Sequence, residues 1–378
     1  MAEPLPRRLA GYGAYNLAFD NMLGRRNPAG PNFFRAIRNQ LGLRNINLVR
    51  VICFRYSRTE GLPAGRATPL YVNPGGGVTV NEAFLRNLND LVTSAEELNF
   101  WVQVSIFHYH AIATPEGKNA GSLPEVPELL PKALIPDTRA GVTPCQRLRK
   151  FFHPNPADPA QLTRQKELVA AIVGKLAGRP KVIYEIGNEL RVDTQGCTAD
   201  DNCRLAEWMN VIKAEILRVD PTALVGSSTG RHGDAMGANE EEVFSTCAGK
   251  LVPAYFDFHF LEWNNVTASS PRIAAAAGRA QSYLSLPTTT APPLIIDDDG
   301  ARDADRTVAH TTTWSTSAFR RGLHYATKNS YPNGGTDPET GAVLDFNGPV
   351  IRALDAAAGS VAFPPPGAAL IPDEPDAL

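Results

Sequence analysis

Five cysteines, four methionines and four tryptophans are spread over 378 residues, and neither sign of charge dominates. The 37 Lys and Arg nearly balance the 39 Asp and Glu, leaving a net charge of −2. The basic residues form no stripe interleaved with aromatics, so no nucleic-acid partner is expected. No apolar run approaches the roughly 20 residues of a membrane-spanning helix, so no membrane partner is expected either. The opening Met-Ala-Glu-Pro-Leu-Pro-Arg-Arg has no apolar stretch after its arginines, unlike a secretory leader. Neither Gly-x-Gly-x-x-Gly nor a Walker A pattern occurs, which argues against an open, doubly wound nucleotide-binding sheet. The cysteines lack the close pairing of a zinc site, and no metal or cofactor is expected. Cys53 lies in an apolar run and reads as a buried thiol. Cys197 and Cys203 bracket a polar stretch compatible with a short-loop disulfide, while Cys145 and Cys247 carry no local pattern.

What is present is alternation. With 43% hydrophobic residues the chain can bury a large core. Short β-branched or aromatic runs fall at Ala10–Asn16, Ile46–Arg55, Trp101–His108, Val182–Gly187, Ala223–Ser227, Tyr255–Leu261, Pro293–Ile296 and Gly322–Thr327. Helical patterns separate them, among them Asn81–Leu98, Leu162–Leu176, Cys203–Val219 and Ile273–Leu284. Several strands are nearly continuously apolar, as in a parallel sheet covered on its faces. Eight such strands alternating with helices predict the α/β class and a single (β/α)₈ (TIM) barrel over residues 1–359. Residues 360–378 read as a Pro-rich tail. Between His110 and Pro159 lie about 50 Pro-rich residues without sustained periodicity, and a loop that long is often functional. Following the third strand, it belongs to the C-terminal face, where barrel active sites are built.

The most informative segment is Val182-Ile-Tyr-Glu-Ile-Gly-Asn-Glu189, an apolar strand running straight into Asn-Glu. Period-two alternation puts Glu185, Gly187 and Glu189 on one face and Asn188 on the other. Carboxylates on a buried strand are costly unless paired, and burial raises a carboxyl's pKa towards what a general acid needs. The segment resembles the strand-four motif of clan A glycoside hydrolases, family 5 (cellulase-like) in particular. Leu190 stands where that family usually has proline. The resemblance makes Glu189 the catalytic acid/base and Asn188 a sugar contact.

Other runs agree with it. Asn47-Leu-Val-Arg50 is similar to the family's Asn-x-Val-Arg, whose arginine supports the nucleophilic carboxylate; read without the family, Arg50 is a strand arginine in an ion pair. The run from Trp101 to His108-Tyr-His110 resembles the third strand ending in histidine, so His108 or His110 lines the site or is a satisfied core histidine. Asp257-Phe-His259-Phe resembles Phe-His-Phe-Tyr and implies His259 near the cleft.

Strand seven departs from the pattern. Ile295-Ile-Asp-Asp298-Asp-Gly300 stands where the family has Ile-Ile-x-Glu-Phe-Gly, so Asp298 holds the second carboxylate's place. Alternation turns Asp297 and Asp299 to the other face. Aspartate is one methylene shorter, which sets its carboxylate about 1–1.5 Å further back. Retaining enzymes hold their two carboxyls about 5–5.5 Å apart and inverting ones about 6.5–9.5 Å, so the change pushes towards the gap between them. Asp298 is then a nucleophile, the base of an inverting reaction or a relic in a carbohydrate-binding protein, with Glu262 in reserve. Leu261 stands for the tyrosine that would bond the nucleophile, and strand eight lacks the usual tryptophan, for which His324 or Tyr325 can substitute. Aromatic faces for sugar rings are expected from Trp263 and Trp314 in loops of the active face, and from Tyr15; Trp208 reads as core. The expectation is a hydrolase of β-linked glycosides or polysaccharides, probing two-carboxylate chemistry with retention first. It is secreted or periplasmic, and its oligomeric state stays open. A binding protein on the same barrel, or a barrel enzyme of other chemistry, is the alternative.

Overall fold

A computed structural model describes residues 8–14, 18, 33–53, 68–72, 79–109, 112, 142–152, 159–188, 190, 199–228, 231–232, 258–264, 294–298, 308–320, 322, 324–329, 335–336, 343–344 and 348–362. Eight strands carry the architecture: β1 (Ala10–Ala14), β2 (Leu48–Ile52), β3 (Trp101–His108), β4 (Val182–Asn188), β5 (Leu224–Ser228), β6 (Phe258–Asn264), β7 (Leu294–Asp298) and β8 (His324–Asn329). Each pairs in parallel with the next, and β8 returns to β1, so the ladder forms a ring. The protein is an α/β barrel. Strands β2, β3 and β4 are buried along their whole length, because helices cover one side and barrel side chains fill the other.

Seven helices are described: α1 (Phe33–Leu41), α2 (Glu82–Glu96), α3 (Pro144–Phe152), α4 (Pro159–Leu176), α5 (Ala199–Val219), α6 (Val308–Arg320) and α7 (Gly348–Ser360). Helix α2 shows how local sequence sets them. Asn81 caps its start, accepting from the Ala83 N–H at 2.9 Å, and Phe84, Leu85, Leu88, Leu91, Val92 and Ala95 form its buried stripe. The expected helix Ile273–Leu284 lies outside the described residues. The connection after β3 is less featureless than its sequence suggests. Helix α3 falls within it, and its Leu148, Phe151 and Phe152 are buried. Phe151 and Phe152 pack on Trp208 of α5, which is core as expected and donates to the Gln165 side chain at 2.7 Å. Arg149 forks onto Asp201 with two 2.9 Å bonds between α3 and α5. Cys145 and Cys203 on those helices are disulfide-bonded, whereas Cys53 is a free thiol whose pKa burial pushes up.

The last described helix, α7, is latched to the segment just before β2. Asp355 of α7 accepts from the backbone N–H of Arg44 (2.9 Å), Asn45 (2.6 Å) and Ile46 (3.0 Å). Asp355→Ala strands three donors at once and is expected to cost about 2–4 kcal/mol, with Asp355→Asn costing less, as read from urea unfolding midpoints.

His324, the first residue of β8, makes a second such tie. It is buried, and its Nδ1 accepts from the Leu9 N–H at 2.9 Å. Burial lowers its pKa from 6.5 to about 4. The folded state therefore binds this proton less readily than the unfolded chain. The contribution is intact above pH 6.5 and is lost as pH falls towards 4, by about 3 kcal/mol. A fall in the urea midpoint between pH 7 and about 4.5 is expected to shrink in His324→Asn, whose amide oxygen keeps an acceptor without titrating.

Candidate active site

The barrel interior is built in layers. Leu9, Leu48, Trp101, Ile183 and Ala326, with Leu224 packed against them, close its N-terminal end as an apolar plug. The next inward positions on three adjacent strands are Arg50 (β2), Gln103 (β3) and Glu185 (β4). Arg50 donates through Nε (2.9 Å) and Nη2 (2.5 Å) to the two oxygens of Glu185, and Gln103 donates to the same carboxylate at 2.9 Å. Arg50 is 1% exposed and Glu185 is fully buried. Because β3 lies between β2 and β4, this ion pair reaches across a strand and can form only inside the barrel. It answers how a carboxylate tolerates the apolar β4: the charge is forked and hydrogen-bonded.

Towards the C-terminal mouth, Gln103 and Glu185 give way to His108 and Asn188, which are neighbours in register. Ile106 and Phe107 both join the outer apolar cluster, and Phe107 meets Phe151 and Trp208 edge-on. Alternation thus slips by one residue there, which places His108 on the barrel side. His108 and Asn188 are both buried. The carbonyl Oδ1 of Asn188 has no hydrogen-bond partner among the described residues. A buried acceptor left open is costly and is expected only where something else fills it. Leu190 is buried against Gly187, so the residues flanking Glu189 are both anchored.

No family model matches the chain, and no curated protein matches it in sequence. Solved structures do match its fold. The glycoside hydrolase family 5 mannosidase from Rhizomucor miehei superposes with a TM-score of 0.57, covering 93% of each chain at 13% identity. The endo-β-1,4-mannanase from Thermotoga petrophila gives 0.55, over 93% of this chain and 76% of that one, at 15% identity. A broad-specificity endoglucanase from Clostridium acetobutylicum gives 0.53, over 92% of this chain and 96% of that one, at 11% identity. The likeness is one of fold.

The remaining candidates fall as follows. Glu189, His110 and Tyr15 lie outside the described residues. His259 and Trp263 both lie in β6, which continues to Asn264, so Trp263 belongs to a strand and not to the loop after it. Asp298 is the last residue of β7 and pairs in register with Thr327, while Asp297 pairs with Ala326 of the interior plug and with Glu262. Trp314 is a correction. It sits in the middle of α6, 1% exposed and part of the outer core, so it offers no face to a sugar. Substitution by His324 or Tyr325 for the absent tryptophan is likewise overturned. His324 is tied to Leu9 at the start of β8, and Tyr325 is buried against Phe319 of α6. Two residues escaped the sequence reading as site components, Glu185 as the partner of Arg50 and Gln103. The signal for Glu185 was present, since a carboxylate in an apolar strand requires a partner.

Proposed function

We propose that this chain is a glycoside hydrolase acting on a β-1,4-linked polysaccharide of the mannan or glucan type. The observation that carries the reading is the open, buried Oδ1 of Asn188, beside His108 and directly before Glu189 at the C-terminal end of β4. That oxygen accepts from a sugar hydroxyl and sets the sugar against Glu189. Glu189 then protonates the glycosidic oxygen and later activates water, while a β7 aspartate attacks the anomeric carbon with retention. Asp298 is the assigned aspartate and Arg50 its support. His110, His259, Trp263 and Tyr15 complete the cleft, bordered by the connection between residues 110 and 159. The family 5 fold of the mannosidase supports this reading, and so does the polar interior of the barrel. The disulfide bonds of Cys145 and Cys203 favour an oxidising, secreted or periplasmic setting.

The test is turnover on soluble β-mannan and β-glucan, read as new reducing ends, for the wild type, Asp298→Asn and Asp297→Asn. Loss of roughly three orders of magnitude or more is expected in Asp298→Asn alone, the scale of nucleophile removals elsewhere. The same loss in Asp297→Asn alone moves the role to the residue in register with Ala326. A wild type that binds both polymers and cleaves neither is a binding protein.

A further inference from the structure

We propose that Glu185 is a positioning residue that acts on the chemistry through Arg50; the inference rests on the hydrolase reading above. Glu185 does not reach the reacting atoms itself. It lies four residues before Glu189 in the sequence, and its carboxylate is taken up by Arg50 and Gln103 inside the barrel. Its effect has to pass through the side chain it holds.

The structure of that hold is specific. Glu185 takes both Nε and Nη2 of Arg50, a two-point fork that fixes the tilt and the rotation of the guanidinium plane together. Gln103 pins the carboxylate oxygen that receives Nε, so the fork is itself held from a third strand. Gly13 is in register with Arg50 on β1, so that position puts no side chain in the way of the guanidinium. Any carboxylate that Arg50 supports at the mouth therefore meets a guanidinium whose plane Glu185 has set.

Filling the barrel does not require this arrangement. One layer below, Leu9, Leu48, Trp101, Ile183 and Ala326 close the same space with apolar side chains. A buried ion pair is often no more stabilising than apolar residues of equal volume, because desolvation offsets the attraction. What a forked pair supplies and an apolar fill does not is a fixed orientation for the arginine. A shift of about 1 Å in such a group costs up to 10²-fold in rate.

The test compares wild type, Glu185→Gln, Glu185→Asp and Gln103→Met, with Glu189→Gln as a control. The substrates are 2,4-dinitrophenyl β-cellobioside and β-mannobioside at 25 °C, on protein shown to be folded by circular dichroism. Glu185→Gln is expected to lower kcat by 10- to 100-fold with KM within threefold. Glu185→Asp keeps the charge but not the reach, and is expected to fall as far. Gln103→Met, which leaves the ion pair but frees the carboxylate, is expected to lose about three- to tenfold in kcat and decides the matter if the Glu185 variants do not fold. Unchanged kcat in Glu185→Gln, or recovery of kcat by Glu185→Asp, overturns the positioning role while leaving the hydrolase reading intact. A wild type without turnover on any glycoside overturns both.

Discussion

Glu189→Gln is expected to lower kcat on β-mannan or β-glucan by roughly 10²–10⁴-fold, the span a positioned general acid contributes. Binding of a non-hydrolysed oligosaccharide should stay within a few-fold, because the amide has the carboxyl's shape and the Asn188 acceptor is untouched. The loss should depend on the leaving group. A sugar hydroxyl departs poorly without a proton, whereas a dinitrophenolate departs unaided, so the first step on an aryl glycoside should be nearly spared. The second step, in which the carboxylate activates water, remains slow on either substrate. A burst of dinitrophenol followed by slow turnover is therefore the expected trace. Equal loss on both substrates from the first step onwards would mean that Glu189 does not act as an acid.

Arg50→Met is expected to destabilise the fold by about 3–5 kcal/mol, because it leaves the fully buried Glu185 without its countercharge. Gln103 remains a donor to that carboxylate, but one neutral amide does not replace a forked guanidinium. The double variant Arg50→Met/Glu185→Leu removes both charges and is expected to regain most of the loss. Urea unfolding of the single and double variants gives the coupling directly. Near-neutral stability in Arg50→Met would mean that water enters the barrel interior and that the pair is solvated.

The strands were legible because they need little beyond their own composition. Trp101–His108 is found at the bounds its apolar run suggested, and Val182–Asn188 differs by one residue. β6 runs on to Asn264, three residues past the end its pattern implied, and this is why Trp263 belongs to a strand. Helix α6 was missed for a physical reason. Its Thr311-Thr-Thr-Trp-Ser-Thr-Ser run is poor in helix formers, since hydroxyl side chains compete for backbone partners. In the fold the hydroxyls bond back along the helix, Thr312 to Val308 and Ser315 to Thr311, and burial of Trp314, Ala318 and Phe319 holds it. At the site, Asn-Glu at the end of an apolar strand could be read directly. The partnership of Arg50 with Glu185 could not, because the two are 135 residues apart and meet only once three strands have curled into a barrel.

The most direct test of two-carboxylate displacement is covalent trapping with 2,4-dinitrophenyl 2-deoxy-2-fluoro-β-cellobioside or its mannobiose counterpart, followed by peptide mass analysis. The account predicts one glycosyl unit added per chain, carried by the peptide that contains Ile295–Asp299, and none in Asp298→Asn. An enzyme that hydrolyses β-mannan or β-glucan with inversion and carries no adduct, or carries it on another strand, would contradict it.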